Sequence, residues 1–274
     1  AAAGGGLSSD SQENTVGGTN AGNAIASGGV SNTFFGASAG RNTSTGDRNT
    51  AIGRYTLYTA TTTTDNTAVG YNTLYAATGD NNTAVGSYAL NANTTASSNT
   101  GIGYHALKVN TTGISNVAVG SQALDANTTA DNNTAVGRAT LGVNTTGANN
   151  VALGTYALDA NTTANNNVAV GVYGLSANTT GYDNTAVGNR ALFVNTTGTN
   201  NVAVGANALD GIATGSNNTA LGFNTLGSAS LDSGDNVAVG TYALQNQTTG
   251  NGRCVAVGKS CLETMTTGSE NTAM

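Results

Sequence analysis

Few side chains in this sequence could take part in acid–base or nucleophilic chemistry. The 274 residues include one histidine, His105, with 14 Asp and Glu residues and two cysteines. Catalytic sites bring several such groups together, whereas Asp125, Asp159 and Asp210 are spread along the chain. The sequence therefore predicts a protein that is not an enzyme and needs no cofactor. A polysaccharide-cleaving site is the enzymatic alternative.

The two cysteines, Cys254 and Cys261, lie seven residues apart near the end of the sequence. An even number of cysteines in a weakly charged, secreted-looking chain indicates a disulfide. We expect an intramolecular bond between them, with an interchain bond or two free thiols as alternatives. Asp131 and Asp183 lie in predicted turns, where carboxylate oxygens could bind Ca²⁺. Calcium is the one metal ion that the sequence leaves open.

Asn-Thr-Thr triplets form a second group of candidate sites. Each triplet is formally an acceptor for N-glycosylation. The same residues also suit a turn followed by a ladder of threonines, and we favour that interpretation over a glycan-coated surface. A threonine array that orders water is a third interpretation. The seven asparagines are Asn93, Asn110, Asn127, Asn144, Asn161, Asn178 and Asn195.

These triplets belong to a repeat that covers most of the chain. The phrase Asn-(Thr/Val)-Ala-(Val/Ile/Leu)-Gly recurs with a step of 17 residues, without exception from Asn82 to Asn218. We number the positions of each repeat from this asparagine, which is position one. Cys254 takes its place in one repeat, and Asn271 begins the last. Position four is aliphatic and position nine is Leu in every regular repeat.

A repeat of 17 residues is too short for a pair of helices but suits short strands and turns. We expect one strand at positions two to five and a second at about positions eight to thirteen. Stacked repeats would place identical residues above one another, about 4.8 Å apart, in a parallel β-solenoid of about fourteen coils. Gly at position five indicates unusual backbone angles or close backbone contact. Asn at position one suits a turn and an amide ladder along the stack.

Tyrosines recur at position seven and form the most varied part of the predicted outer surface. Aromatic side chains are frequent in recognition sites because they bury a large area at low entropic cost. Tyr71, Arg138 and Arg190 are close to them in the pattern. Surface decoration without binding is the alternative interpretation. The four candidate recognition residues are Tyr88, Tyr156, Tyr173 and Tyr242.

Composition restricts the partners and the organisation of the chain. Only 8% of the residues are charged, and the net charge is −6. Eight Lys and Arg residues are too few for a nucleic-acid-binding surface, and no apolar run is long enough for a membrane-spanning helix. We expect residues 1–31 to be an irregular Gly/Ala-rich segment and cap, and residues 32–274 to be the solenoid.

The repeats resemble two groups of known proteins. The phrase NTAVGxxALxxNTTG is similar to the shaft repeats of phage tail fibres, and segments such as Val117–Gly120 resemble the head repeats of trimeric autotransporter adhesins. The resemblance implies a left-handed β-roll wound as a homotrimer, although general crossover rules favour right-handed connections.

The resemblance also implies a function. It points to a non-catalytic rod of an extracellular fibre, on a virion or a cell surface, with a cell-surface glycan or receptor as its partner. The alternative is a subunit of a self-polymerising extracellular filament, with or without glycans. In both cases the first partner is another copy of the chain.

Overall fold

A computed structural model of the chain describes residues 8–25, 28–227, 234–247 and 252–274. All regular elements among these residues are β-strands. The chain divides into two compact units, Ala1–Asn133 and Thr134–Met274. Each unit is a parallel β-solenoid with coils of about 17 residues, as the repeat predicts. None of the described residues belongs to a helix long and apolar enough to cross a bilayer.

The first unit begins with an antiparallel pair and continues as a parallel stack. Strand β1 pairs antiparallel with β2, and each later strand pairs parallel with the one before it. Residues at the same repeat position face each other, as for Ala51 and Ala68. The strands are β1 Ser8–Ser9, β2 Thr15–Gly17, β3 Thr33–Phe35, β4 Thr50–Ile52, β5 Thr67–Val69, β6 Thr83–Val85, β7 Thr100–Ile102 and β8 Val117–Val119.

The second unit is a parallel stack throughout its described strands. The same positions pair from coil to coil, including Leu221 with Val239, where the repeat is one residue longer. The strands are β9 Thr134–Val136, β10 Val151–Leu153, β11 Val168–Val170, β12 Thr185–Val187, β13 Val202–Val204, β14 Thr219–Leu221, β15 Val237–Val239, β16 Val255–Val257 and β17 Thr272–Ala273.

The second strand predicted for each coil is wrong. Positions six to eleven form turns in the described coils. The backbone is left-handed at positions seven and nine, with φ of 60° at His105 and 52° at Leu107, and an extended strand cannot contain such residues. Backbone bonds between coils nevertheless continue there, since Leu107 N–H donates to Ala123 C=O at 3.0 Å.

The core of each coil is narrow and filled by small residues facing one Leu. Ala at position three is fully buried from Ala51 to Ala256, and Leu at position nine is fully buried from Leu57 to Leu244. The leucines adopt φ near 50°, at a cost of about 1–2 kcal/mol that burial of the side chain offsets. The coil that begins at Asn32 has the large side chain at position three and the small residue at position nine, namely Phe34 and Gly40. A Cβ added to Gly40 would lie 2.5 Å from the Phe34 ring.

The position-one asparagines form the predicted ladder inside the stack. Asn116 is fully buried, and its backbone N–H and its Nδ2 both donate to Oδ1 of Asn99, at 2.9 and 3.2 Å. Its Nδ2 also donates to the carbonyl of Ala130 at position fifteen, at 2.8 Å. Its Oδ1 accepts the backbone N–H of Asn133 at 2.9 Å. Each asparagine therefore connects three successive coils.

A second asparagine ladder runs at position twelve. Nδ2 of Asn110 donates to Oδ1 of Asn93 at 3.0 Å and to the carbonyl of Gly113 at 2.9 Å. The same carbonyl accepts Nδ2 of Asn99 at 2.9 Å. One carbonyl at position fifteen thus joins the two ladders within a coil. The position-twelve ladder is not obligatory, because the buried Ala60 and Ala77 occupy that position in earlier coils.

The solenoid begins earlier than the predicted boundary between residues 31 and 32. Backbone N–H and Nδ2 of Asn32 donate to Oδ1 of Asn14, at 2.9 and 3.0 Å, so Asn14 is already part of the ladder. Among the described residues, only β1 and the turn that follows it precede this first ladder asparagine. Asp10 holds the turn, since its Oδ1 accepts Asn14 N–H at 2.9 Å. The Gly/Ala tract at residues 1–6 lies outside the described residues.

Gly at position five has the unusual conformation that its place in the repeat predicts. From Gly53 to Gly258 these glycines have φ of 121–142°, a region that residues with a side chain rarely adopt. They also lie directly against the next coil. A Cβ on Gly154 would be 2.5 Å from the Gly171 oxygen and 2.6 Å from its carbonyl carbon.

We therefore predict that Gly154→Ala destabilises the second unit by roughly 2–5 kcal/mol, the sum of backbone strain and overpacking. Gly174→Ala is the matched control, because its nearest neighbour would be at an ordinary 3.5 Å and other coils carry Ala at that position. Thermal unfolding should show a large decrease for the first variant and no decrease for the second. Equal effects would contradict the assigned role of the position-five glycine.

Candidate recognition surface

The outer face of the turn at positions six, seven and ten carries aromatic side chains in both units. In the first unit, Tyr58 and Tyr75 occupy position ten of successive coils and stack with ring centres 5.0 Å apart and planes 3° apart. Tyr55 meets Tyr58 edge to face at 5.5 Å. Tyr55, Tyr58, Tyr71, Asn72 and Tyr75 line an open cleft of about 280 Å³, which we call the tyrosine cleft.

Aromatic contacts continue from the tyrosine cleft to Tyr88, one of the four residues predicted from sequence. The Tyr71 and Tyr88 rings meet edge to face at 5.4 Å, and Tyr88 meets His105 in the same way at 5.5 Å. His105 stacks on Tyr104 at 3.8 Å. His105 is thus half-buried within an aromatic row.

Two arginines lie against tyrosines that line the cleft. Arg41 donates to the Tyr58 hydroxyl at 2.9 Å, and its guanidinium lies 5.6 Å from the centre of that ring. Arg54 donates to the Tyr55 hydroxyl at 3.0 Å and lies 4.6 Å from that ring. Among the described residues, neither arginine has a carboxylate within ion-pair distance. Both charges face solvent and aromatic rings.

The second unit has a smaller aromatic group. Tyr156 and Tyr173, both predicted from sequence, stack with centres 5.4 Å apart, and Arg138 lies 5.4 Å from the Tyr156 ring. Tyr173 also meets Phe193 edge to face at 6.1 Å. The fourth predicted residue, Tyr242, contacts only Phe223 among described aromatic rings, at 5.6 Å.

The charge of this second group is partly neutralised. Arg190 lies 3.9 Å from the centre of the Phe193 ring and forms an ion pair with Asp210 at 3.7 Å. Burial raises the pKa of Asp210, and the attraction and hydrogen bond of Arg190 act against this rise. The second group therefore carries less net positive charge than the tyrosine cleft.

Sequence reasoning identified the aromatic surface but missed its densest part. It selected position seven, whereas Tyr58 and Tyr75 lie at position ten. Their occurrence at one repeat position in two successive coils was the available signal, because neighbouring coils place such residues about 4.8 Å apart. The four predicted tyrosines are distributed over three separate groups.

The asparagines of the seven Asn-Thr-Thr triplets lie inside the coils. All seven are fully buried at position twelve, where Nδ2 of Asn161 donates to Oδ1 of Asn144 at 2.9 Å and to the carbonyl of Ala164 at 3.1 Å. A glycan would be attached to this same nitrogen. The folded coil leaves no space there for a glycan.

The threonines that follow these asparagines also serve the stack. Oγ1 of Thr94 donates to the carbonyl of Thr111 at 2.9 Å, and Oγ1 of Thr179 donates to that of Thr196 at 3.0 Å. These hydroxyl protons are directed along the ladder. The arrangement supports the turn-and-ladder interpretation over an array that orders water.

The cysteines are free thiols in the structure, and the expected disulfide between them is not present. Cys254 is buried at position one, where its backbone N–H donates to Oδ1 of Asn236 at 3.1 Å. Its Sγ takes the place of the asparagine amide and accepts from Nε2 of Gln247 at 3.8 Å. Cys261 is half-buried at position eight, where most coils have Ala. The two side chains thus fill different positions of one coil.

The two candidate calcium ligands each lie in a loop of their own unit. Oδ1 of Asp131 accepts the backbone N–H of Ile114 at 2.7 Å, and Asp183 lies in a turn with φ of 55°. No group of three His, Cys, Asp or Glu side chains that could hold a metal ion occurs in the described parts of the chain.

His105 provides a prediction about pH. Burial lowers its pKa below the ordinary 6.5, the charge of Lys108 lowers it further, and Asp125 acts in the opposite direction. The folded state disfavours the charged imidazole. The contribution of the neutral His105 side chain to the free energy of unfolding is therefore present above pH 6.5 and is lost as the pH falls through the folded-state pKa. An NMR titration of this single histidine should therefore give a value below 6.5.

His105→Gln is the control for this titration, since Gln122 occupies position seven of the next coil. Thermal stability of the variant should fall less than that of the parent protein between about pH 7.5 and about pH 5. A folded-state pKa above 6.5, or identical pH profiles for both proteins, would contradict the assignment.

Sequence comparison finds no protein-family model and no curated protein that matches this chain. Its function is therefore inferred from the side chains and their geometry.

Proposed function

We propose that this chain is a non-catalytic structural part of an extracellular fibre, in which copies associate side by side as a homotrimer and the outer surface attaches to a cell. The observation that carries the proposal is an aliphatic strip on the outer face of the strands. Ala at position three points into each coil, so positions two and four point outward.

The strip is substantially exposed in both units. The position-four side chains of Ile52, Ile102, Leu153 and Leu221 are 37–47% exposed. Position two adds Thr or Val on the same face, and Val202 is 40% exposed. Neither position carries a charge in any regular coil. Within each unit, an uncharged and largely aliphatic strip of this kind is typical of an interface.

A second copy of the chain suits this strip because an aliphatic side chain recurs at position four of every regular coil. Two copies could align their strips over many coils, and three could close around a common axis, which would bury each strip completely. The interior of each coil is already occupied by Ala, Leu and the asparagine ladders, and we assign it no catalytic role.

The alternative function is a subunit of a filament that grows by end-to-end stacking of coils. The antiparallel pairing of Ser8–Ser9 with Thr15 and Val16 favours the fibre segment over this alternative. This pairing occupies backbone groups at the edge of β2, and end-to-end addition would need that edge free.

The two functions predict different particles. Mass photometry and negative-stain electron microscopy of the purified chain should show uniform particles with the mass of three chains. Filaments of varying length would support the alternative, and single chains at micromolar concentration would contradict both.

Ile102→Lys tests the interface, because it places a charge on the strip and should shift the particles toward single chains. Ile114→Lys is the matched control, since Ile114 is 45% exposed but lies at position sixteen, outside the strands. If the control variant dissociated as much as Ile102→Lys, the strip would not be the interface.

A further inference from the structure

We propose that the tyrosine cleft binds an acidic saccharide, with sugar rings against the tyrosines and a carboxylate on the arginines. This inference rests on the proposed attachment function and gives it a site and a ligand class. The cleft is lined by Tyr55, Tyr58, Tyr71, Asn72 and Tyr75.

The shape and lining of the cleft favour a sugar over a compact apolar ligand. Its volume of about 280 Å³ is at the small end of ligand sites, and its open form exposes a bound group to solvent on one side. The exposed lining is mainly polar, so the phenol hydroxyls offer hydrogen bonds to sugar hydroxyls, and the ring edges add a small apolar contact. An extended chain of sugars could place one unit in the cleft and continue along the surface.

Asn72 provides an unused polar group in the lining. Its backbone carbonyl accepts Nδ2 of Asn91 at 2.8 Å, but its side-chain Oδ1 is buried without a hydrogen-bond donor. An unpaired buried acceptor costs free energy. A sugar hydroxyl could supply the missing donor after a small rotation of the amide.

The positive charges beside the cleft favour an acidic sugar over a neutral one as the ligand. The chain has a net charge of −6, yet Arg41 and Arg54 lie on the tyrosines of the cleft and have no carboxylate partner in the described parts of the chain. Of the other arginines, Arg48, Arg190 and Arg253 are paired with carboxylates, at 2.7, 3.7 and 3.2 Å. The guanidinium groups of Arg41 and Arg54 are oriented by the tyrosine hydroxyls. A carboxylate is the ligand group that such an oriented guanidinium binds best.

The test uses the full chain, with hexagalacturonate as the acidic probe and its methyl ester as the neutral probe of the same shape. Isothermal titration calorimetry should show binding of hexagalacturonate, with affinity for the ester lower by about tenfold or more. Arg41→Gln with Arg54→Gln should remove this preference. Tyr58→Ala with Tyr75→Ala should weaken binding of both probes by about tenfold or more.

Tyr182→Ala is the matched control, because Tyr182 is 50% exposed in the second unit and belongs to none of the aromatic groups described above. Its affinity for hexagalacturonate should equal that of the parent protein. Tyr58→Phe with Tyr75→Phe keeps the rings and removes the hydroxyls, so a partial loss is expected even if the alanine variant does not fold.

The inference is overturned if hexagalacturonate does not bind, if the ester binds equally well, or if Tyr182→Ala weakens binding as much as the cleft pair. Particle mass measured on the same samples separates this inference from the proposed function. Three-chain particles that do not bind the probe would refute the site alone. Single chains that bind it would support the site and refute the trimeric fibre.

Discussion

The asparagine ladder at position one is the interaction on which the rest of the structure depends. The residue before each of these asparagines has a left-handed backbone, as Ser115 does with φ of 57°, and this turn directs the asparagine N–H toward the previous coil. The side-chain oxygen of the preceding asparagine is the acceptor that satisfies it. Without that oxygen, a buried N–H would remain unpaired in every coil, at a cost comparable to a lost hydrogen bond.

This constraint divides each coil into fixed and free positions. The asparagines, the small residues at positions three and eight, Leu at position nine and Gly at position five fill a narrow interior, and few substitutions fit there. Positions six, seven and ten lie outside it and tolerate Tyr, Arg, Ser, Asp or Lys. Aromatic clusters therefore form where neighbouring coils place tyrosines at these free positions. Tyr58 beside Tyr75 is the clearest case.

The repeat was sufficient to predict the parallel solenoid, the asparagine ladder and the role of the position-five glycine, because each depends on identical residues recurring at one spacing. The second strand was wrong because Leu at position nine gives no sign of a left-handed backbone, which only tertiary packing imposes. The tyrosine cleft was missed for a related reason. Tyr55, Tyr71 and Tyr75 occupy three different repeat positions, and only the shape of the turn brings them together. The glycosylation motif likewise matched a triplet whose asparagine faces inward.

The most direct test of the central claim is the unfolding stability of Asn116→Ala compared with Asn110→Ala. Both asparagines are fully buried and lie in neighbouring coils. Of the two, only Asn116 accepts a backbone N–H with its side-chain oxygen. Two other coils of this chain, moreover, have Ala60 and Ala77 at the position of Asn110. We predict a loss of roughly 2–4 kcal/mol for Asn116→Ala and about 1–2 kcal/mol for Asn110→Ala. Equal losses, or a larger loss for Asn110→Ala, would contradict the account.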